Sequence, residues 1–186
     1  MKFIKTEIPE VVIIKPDVFG DSRGYFFESF NQKEFEENIG NIAFVQDNES
    51  KSTRGVLRGL HFQKPPFAQS KLVRCIDGIL LDIVVDIRKG SPTYGKHIAV
   101  ELSGENKLQL FVPKGFAHGF VVLSETAIVA YKVDNWYAPE SDAGIMWNDS
   151  TLNIDWKIPP AEVKLSQKDQ NLKSFSALET IFQYKK

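Results

Sequence analysis

The chain has 186 residues and a formal net charge of −1 at pH 7. That length fits one domain with a substantial core, and the missing basic excess excludes general nucleic-acid affinity. Met1 to Glu10 is too polar for a signal peptide and no apolar run approaches the ~20 residues of a membrane helix, so the expectation is a soluble cytoplasmic protein with no membrane partner.

Taken in order, the chain reads as short strands separated by turn residues. Val11 to Lys15 is a β-branched run ended by Pro16. Phe19 to Gly24 is a turn cluster, followed by an aromatic strand from Tyr25 to Phe30. Asn31 is suited to N-cap a helix from Gln32 to Asn38, with Glu34 three residues on completing a capping-box-like pair and Gly40 ending it. Further strands are expected at Ala43–Glu49, Val56–Phe62, Lys71–Asp77, Ile79–Arg88, Lys96–Leu102, Lys107–Val112, Ala117–Val122 and Ala127–Val133. Asp77-Gly78 reads as a tight hairpin turn. Leu81, Ile83, Val85 and Ile87 alternate with Asp82, Val84, Asp86 and Arg88, the period of a strand with one buried face. From about residue 138 prolines punctuate a loop-rich tail, with a short helix near Ser166 or Gln167. The whole, 1–186, reads as a single all-β domain with a few short helices, a double-sheet jelly roll.

Chemistry concentrates between Arg54 and Lys71, where Arg58, His61, Gln63 and Lys71 stand on an apolar, strand-like scaffold. Imidazole moves protons near neutral pH. A lysine stabilises an oxyanion, and arginine holds phosphate bidentately. These are the parts for proton abstraction beside a carbonyl, on a substrate that carries phosphate. There are three histidines, His61, His97 and His118. His97 is expected to be exposed. His61 and His118 are each flanked by glycine and aromatics, which suits either a structural or a functional role. The residue two beyond His61 is Gln63, so the His-x-His pair typical of metal-holding barrels is missing, and the expectation is a metal-free interior. The single cysteine, Cys75, lies in an apolar run and reads as a buried thiol. No G-x-G-x-x-G segment or P-loop is present, and no cofactor is expected.

Ordered motifs run through most of the chain: Asp21-Ser22-Arg23-Gly24-Tyr25-Phe26-Phe27-Glu28, Phe44-Val45-Gln46-Asp47-Asn48, Leu57-Arg58-Gly59-Leu60-His61-Phe62-Gln63 and Lys71-Leu72-Val73-Arg74. The series continues through Val85 to Gly95, Pro113 to Phe120, Tyr137 to Glu140 and Ser166 to Asp169. Together these motifs resemble the dTDP-4-dehydrorhamnose 3,5-epimerase family. The resemblance implies a cupin-type jelly roll, a homodimer that exchanges strands, and a dTDP-sugar substrate. It implies epimerisation at C3 and C5 of a 4-keto sugar. His61 would be the base, with Asp169 as its carboxylate partner. Lys71 would stabilise the C4 enolate, and Tyr131 would be the acid on the opposite face. His118 would line the pocket, with Asp82 as its partner. Arg23, Glu28, Gln46, Asp47, Asn48, Arg58, Asp142 and Lys168 match positions that bind the substrate. Asp142 stands where Glu is more familiar, and Trp136 where another aromatic is usual.

The residue types fit that chemistry. A C4 ketone acidifies the hydrogens on both flanking carbons, so one oxyanion stabiliser serves two inversions. Inversion needs a base on one face and an acid on the other, and a tyrosine, pKa ~10, is protonated near neutrality. One geometric conflict stands out: strict alternation puts Arg58 and His61 on opposite faces of one strand. Either Gly59 permits a bulge, or Arg58 serves the site of a neighbouring subunit, and the implied dimer favours the second.

Overall fold

The computed structural model describes residues 1–179 and 181–184. Its strands are β1 (Lys2–Lys5), β2 (Val12–Lys15), β3 (Val18–Asp21), β4 (Gly24–Phe27), β5 (Gln46–Thr53), β6 (Leu57–Gln63) and β7 (Lys71–Asp77). They continue with β8 (Ile79–Asp86), β9 (His97–Ser103), β10 (Gln109–Val112), β11 (Phe116–Val122), β12 (Thr126–Val133) and β13 (Asp142–Gly144). The helices α1 (Gln32–Asn38) and α2 (Gln167–Gln170) flank them.

One sheet has the order β1-β2-β10-β7-β12-β5 and the other β13-β6-β11-β8-β9, while β3 and β4 form a separate hairpin. All these ladders are antiparallel. This is the two-sheet jelly roll that the sequence implies. Between the sheets Val73, Val112 and Val129 meet Val84, Val100, Phe116 and Phe120. A second cluster covers the outside of the five-stranded sheet, where Leu81, Ile83 and Val85 pack under Leu152, Trp156, Ile158 and Phe175 of the tail. A third lies outside the six-stranded sheet, with Phe35 of α1 on Leu72 and Phe111.

The structure departs from the sequence expectations in several places. β8 is buried on both faces rather than one: its apolar face of Leu81, Ile83 and Val85 lies under the tail, and the face that alternation assigns to solvent, with Asp82 and Val84, turns in between the two sheets. Asp77-Gly78 is a tight turn but closes no hairpin: β7 pairs with β10 and β12, β8 with β9 and β11, so Gly78 (φ +80) carries the chain from one sheet to the other. The Phe19–Gly24 cluster is a hairpin whose arms are β3 and β4. Asn31 does cap α1, its Oδ1 accepting from the Glu34 N–H at 3.1 Å, but the Glu34 carboxylate turns to the Met1 ammonium at 3.0 Å instead of closing a capping box. β1 and β13 are strands that the apolar pattern does not reveal. His97 is half-buried on β9, opposite Val85.

Candidate active site

A cavity of about 480 Å³ opens between the sheets, a size suited to a small-molecule ligand. His61 and His118 come from the five-stranded sheet and face each other across the β6–β11 ladder. Lys71 and Tyr131 come from β7 and β12 of the opposite sheet. The cavity therefore has a histidine wall and a lysine–tyrosine wall.

Arg58 lines the same cavity as His61, in the same chain. The β6–β11 register runs His118↔His61 and then Phe120↔Arg58, so Gly59 and Leu60 together oppose Gly119. That extra residue is a bulge, and it shifts the alternation by one. Leu57, Leu60 and Phe62 all pack in the outer cluster while Arg58 and His61 turn inward. The neighbouring-subunit account of Arg58 is thus corrected. Only glycine fits the bulge: Gly59 has φ +131, and a Cβ there would lie 2.5 Å from the Gly119 Cα and 2.9 Å from the His118 carbonyl oxygen. The Arg58 guanidinium donates to the Ser52 hydroxyl at 3.1 and 3.3 Å.

Asp169 reaches His61 from the tail. Ser166 caps α2, its Oγ accepting from the Asp169 N–H at 3.1 Å and donating to Asp169 Oδ2 at 2.8 Å. The other carboxylate oxygen lies 2.5 Å from His61 Nε2. Asp169 is 3% exposed. Burial alone would raise its pKa, but the hydrogen bonds from His61 and Ser166 outweigh it and hold the carboxyl below the usual range. With Nε2 given to Asp169, Nδ1 is the ring nitrogen of His61 left for proton transfer.

His118 makes a parallel arrangement, its Nε2 lying 2.9 and 3.0 Å from the two oxygens of Asp82. Burial lowers the His118 pKa despite that carboxylate, which keeps the ring neutral. Burial lowers Lys71 to about 8; Asp82 and then Asp142 favour its ammonium, and Lys168 opposes it. Tyr131 is raised by burial, partly offset by Arg58, and so remains a phenol across the neutral range. Among the described residues no three His, Cys, Asp or Glu side chains converge as metal ligands do.

The other sequence candidates are spread more widely. Lys168 lines the cavity, but Asp142 stands behind it, accepting from the Lys168 ammonium and from the Tyr137 hydroxyl. Asn48 is the cross-strand neighbour of Tyr131, and Gln46 donates to the Asn48 side chain at 2.8 Å, so both stand on the inward face of β5. Asp47 faces outward, ion-paired to Lys132 at 2.9 Å. Arg23 and Glu28 lie outside the cavity of their own chain. Arg23 is at the tip of the β3–β4 hairpin, paired to Asp21 at 2.6 Å, and Glu28 accepts from Asn31. Sequence reasoning missed Ser52 and Ser166, which position Arg58 and Asp169. Ser166, three residues before Asp169 at a helix start, carried a legible capping signal.

The family model described as dTDP-4-dehydrorhamnose 3,5-epimerase matches residues 5–177. The chain is 57% identical over 176 residues to the dTDP-4-dehydrorhamnose 3,5-epimerase of Shigella flexneri, covering 94% of this chain and 96% of that one. The crystal structure of dTDP-4-dehydrorhamnose 3,5-epimerase from Elizabethkingia anophelis NUHP1 superposes with a TM-score of 0.90 at 56% identity, covering 95% of this chain and 97% of that one. The dTDP-6-deoxy-D-glucose-3,5-epimerase of Legionella pneumophila, solved in complex with dTDP-4-keto-L-rhamnose, superposes with a TM-score of 0.95 at 48% identity, covering 100% and 99%.

Proposed function

Since the chain belongs to the dTDP-4-dehydrorhamnose 3,5-epimerase family, we propose that it inverts C3 and C5 of dTDP-4-keto-6-deoxy-D-glucose, yielding dTDP-4-keto-L-rhamnose for dTDP-rhamnose synthesis. The protein is an isomerase. The reading rests on one observation above all: His61, held by Asp169 at 2.5 Å, faces a wall that carries Lys71 and Tyr131.

Nδ1 of His61 removes the proton from C3 or C5. The electron pair moves into the C4 carbonyl, and the Lys71 ammonium stabilises the resulting enolate oxygen. Asp169 keeps the ring oriented and stabilises the imidazolium. Tyr131 then delivers its proton to the opposite face of the carbon, inverting the centre. The tyrosinate and imidazolium return to their starting states by proton exchange. Both carbons flank one ketone, so the same groups serve both. The chemistry needs no electron transfer. Arg58 and Lys168 at the cavity suit the diphosphate, and Trp136, 60% exposed, offers a face for the thymine.

The enzyme works as a homodimer in this reading. Arg23 and Glu28 match substrate-binding positions yet lie away from their own cavity, and the hairpin beside them exposes Phe19, Tyr25 and Phe26 at 60–70%. A second copy would cover these rings and receive Arg23 and Glu28 at its own site. In the same reading the enzyme acts in the cytoplasm.

Proton NMR of the protein with dTDP-4-keto-6-deoxyglucose in deuterated water tests the reaction. Deuterium is expected at both C3 and C5 and is lost in His61→Ala. Exchange at one carbon makes the protein a single epimerase, and exchange at neither refutes the substrate.

A further inference from the structure

Asp82 has no proton to give or take in the reaction above, yet it occupies an expensive position. It lies on the inward face of β8 between Leu80 and Val84, and all three are fully buried. A carboxylate there has lost its hydration and needs other charge to replace it. Its hydrogen-bond donor among the described residues is His118 Nε2, at 2.9 and 3.0 Å. That ring is kept neutral by burial, with Lys71 and His61 adding to the effect. A neutral donor leaves the carboxylate's charge uncompensated.

The compensating charge comes from the opposite wall. Lys71 faces the same cavity, and of the charges around it Asp82 favours the ammonium most, ahead of Asp142 on β13. Lys168 of α2 opposes it. The remaining ionisable groups at the cavity are His61 and Arg58 on β6, Tyr131 on β12, Lys164 in the tail and Asp169 on α2. Asp169 is already committed to His61 and Ser166. Asp82 is thus the buried anion whose charge is free to act on the lysine.

We propose that Asp82 is a positioning residue for the reaction: it holds His118 as an Nε2–H donor with a bare Nδ1, and it supplies the fixed negative charge that keeps Lys71 an ammonium where the C4 oxyanion forms. The reaction itself is that of the epimerase reading above, on which this rests. Without the carboxylate, burial alone acts on the lysine, and a neutral amine stabilises an enolate far less well than an ammonium.

Asp82→Asn tests this, because the amide keeps the shape and an oxygen for His118 while removing the charge. The pH at which Lys71 loses its proton is read without substrate, by competitive acetylation across a pH series with mass spectrometry of the Lys71 peptide. The midpoint is expected to fall by roughly one unit or more from its wild-type value. For a one-unit fall, the deficit in kcat/KM from lost ammonium grows from under about twofold at pH 6.5 to roughly eightfold at pH 8.5. A loss of packing alone gives a deficit that does not vary with pH. An unshifted Lys71 midpoint overturns the proposal and leaves the epimerase reading standing. An inactive wild type with a shifted midpoint sinks the epimerase reading instead. A wild-type measurement covers the case of a variant that does not fold: nitrogen-15 NMR of the His118 ring is expected to show Nε2 protonated and Nδ1 bare at neutral pH. A doubly protonated ring would neutralise Asp82 locally and overturn the assignment.

Discussion

Gly59→Ala perturbs the bulge that brings Arg58 and His61 to one cavity, and its cost divides into two parts. The first is backbone strain, since φ +131 is a conformation that residues with a Cβ rarely adopt; it costs about 1–3 kcal/mol. The second is contact. The new methyl would meet the Gly119 Cα at 2.5 Å and the His118 carbonyl oxygen at 2.9 Å, both backbone atoms of a central strand. Overpacking of this kind costs a further ~1–3 kcal/mol. Together the loss is about 2–6 kcal/mol, against a total of ~5–15 for an ordinary domain. At ~2–4 °C per kcal/mol for a chain of this size, Tm falls by roughly 4–24 °C. Gly24→Ala supplies the control, because Gly24 has nearly the same φ, +134, with nothing within 4 Å of its Cβ. Differential scanning fluorimetry of both variants therefore separates strain from contact. Calorimetric titration with dTDP then reads whether Arg58 still reaches the ligand. Equal Tm losses in the two variants, or an unchanged dTDP affinity in Gly59→Ala, would refute the claim that close packing against β11 sets the bulge.

Asp169→Asn is expected to slow deuterium exchange at C3 and C5 alike, by about 10²–10⁴-fold, because one imidazole serves both carbons; a loss confined to one carbon means that a second base exists. Arg58→Ala should weaken dTDP binding by roughly tenfold to a hundredfold in calorimetry, the value of a charge-assisted bond, and unchanged affinity removes Arg58 from the site. In the proposed reaction Lys71 acts as an ammonium, the form lost as pH rises through its value of about 8, so kcat/KM should fall about tenfold per unit above that point. A basic limb found near pH 10 instead contradicts the burial argument. Asp86 is fully buried and accepts from Arg88, Ser91 and Thr93 at 2.6–2.9 Å. Asp86→Asn leaves Arg88 with Glu10 as its remaining carboxylate partner and should cost about 1.5–3 kcal/mol, the value of a hydrogen bond to a charged group, read as a Tm drop with the same activity per folded molecule.

Much of the fold was legible because local signals and tertiary needs agree. β7 has the expected bounds, Lys71–Asp77, and Asn31 starts α1 as its side chain dictates. The failures come where a distant segment decides. Alternation marks Leu81, Ile83 and Val85 as the buried face of β8, but nothing local shows that the face with Asp82 and Val84 is buried too, or that the tail is what covers the first, since Leu152, Trp156, Ile158 and Phe175 are irregularly spaced in a loop-rich segment. Asp77-Gly78 carries a hairpin signature, but turn chemistry does not say which sheet the next strand joins. At the site, residue types pointed to acid–base chemistry, and the motifs supplied the roles. Period-two reasoning exposed the conflict between Arg58 and His61, and the bulge that resolves it depends on pairing with β11. The positions of Arg23 and Glu28 relative to a cavity were not readable from sequence, because a hairpin's direction is set by what lies around it.

The tail carries two duties on one short segment. It spreads apolar cover over the outside of the five-stranded sheet, and it delivers Asp169 to a histidine 108 residues earlier in the chain. A ribosome that stalls, or a protease that nicks, upstream of Ser166 yields molecules lacking the partner of His61. Such molecules also lose Phe175 from the outer cover, so one break weakens the sheet's packing and the support of His61 together.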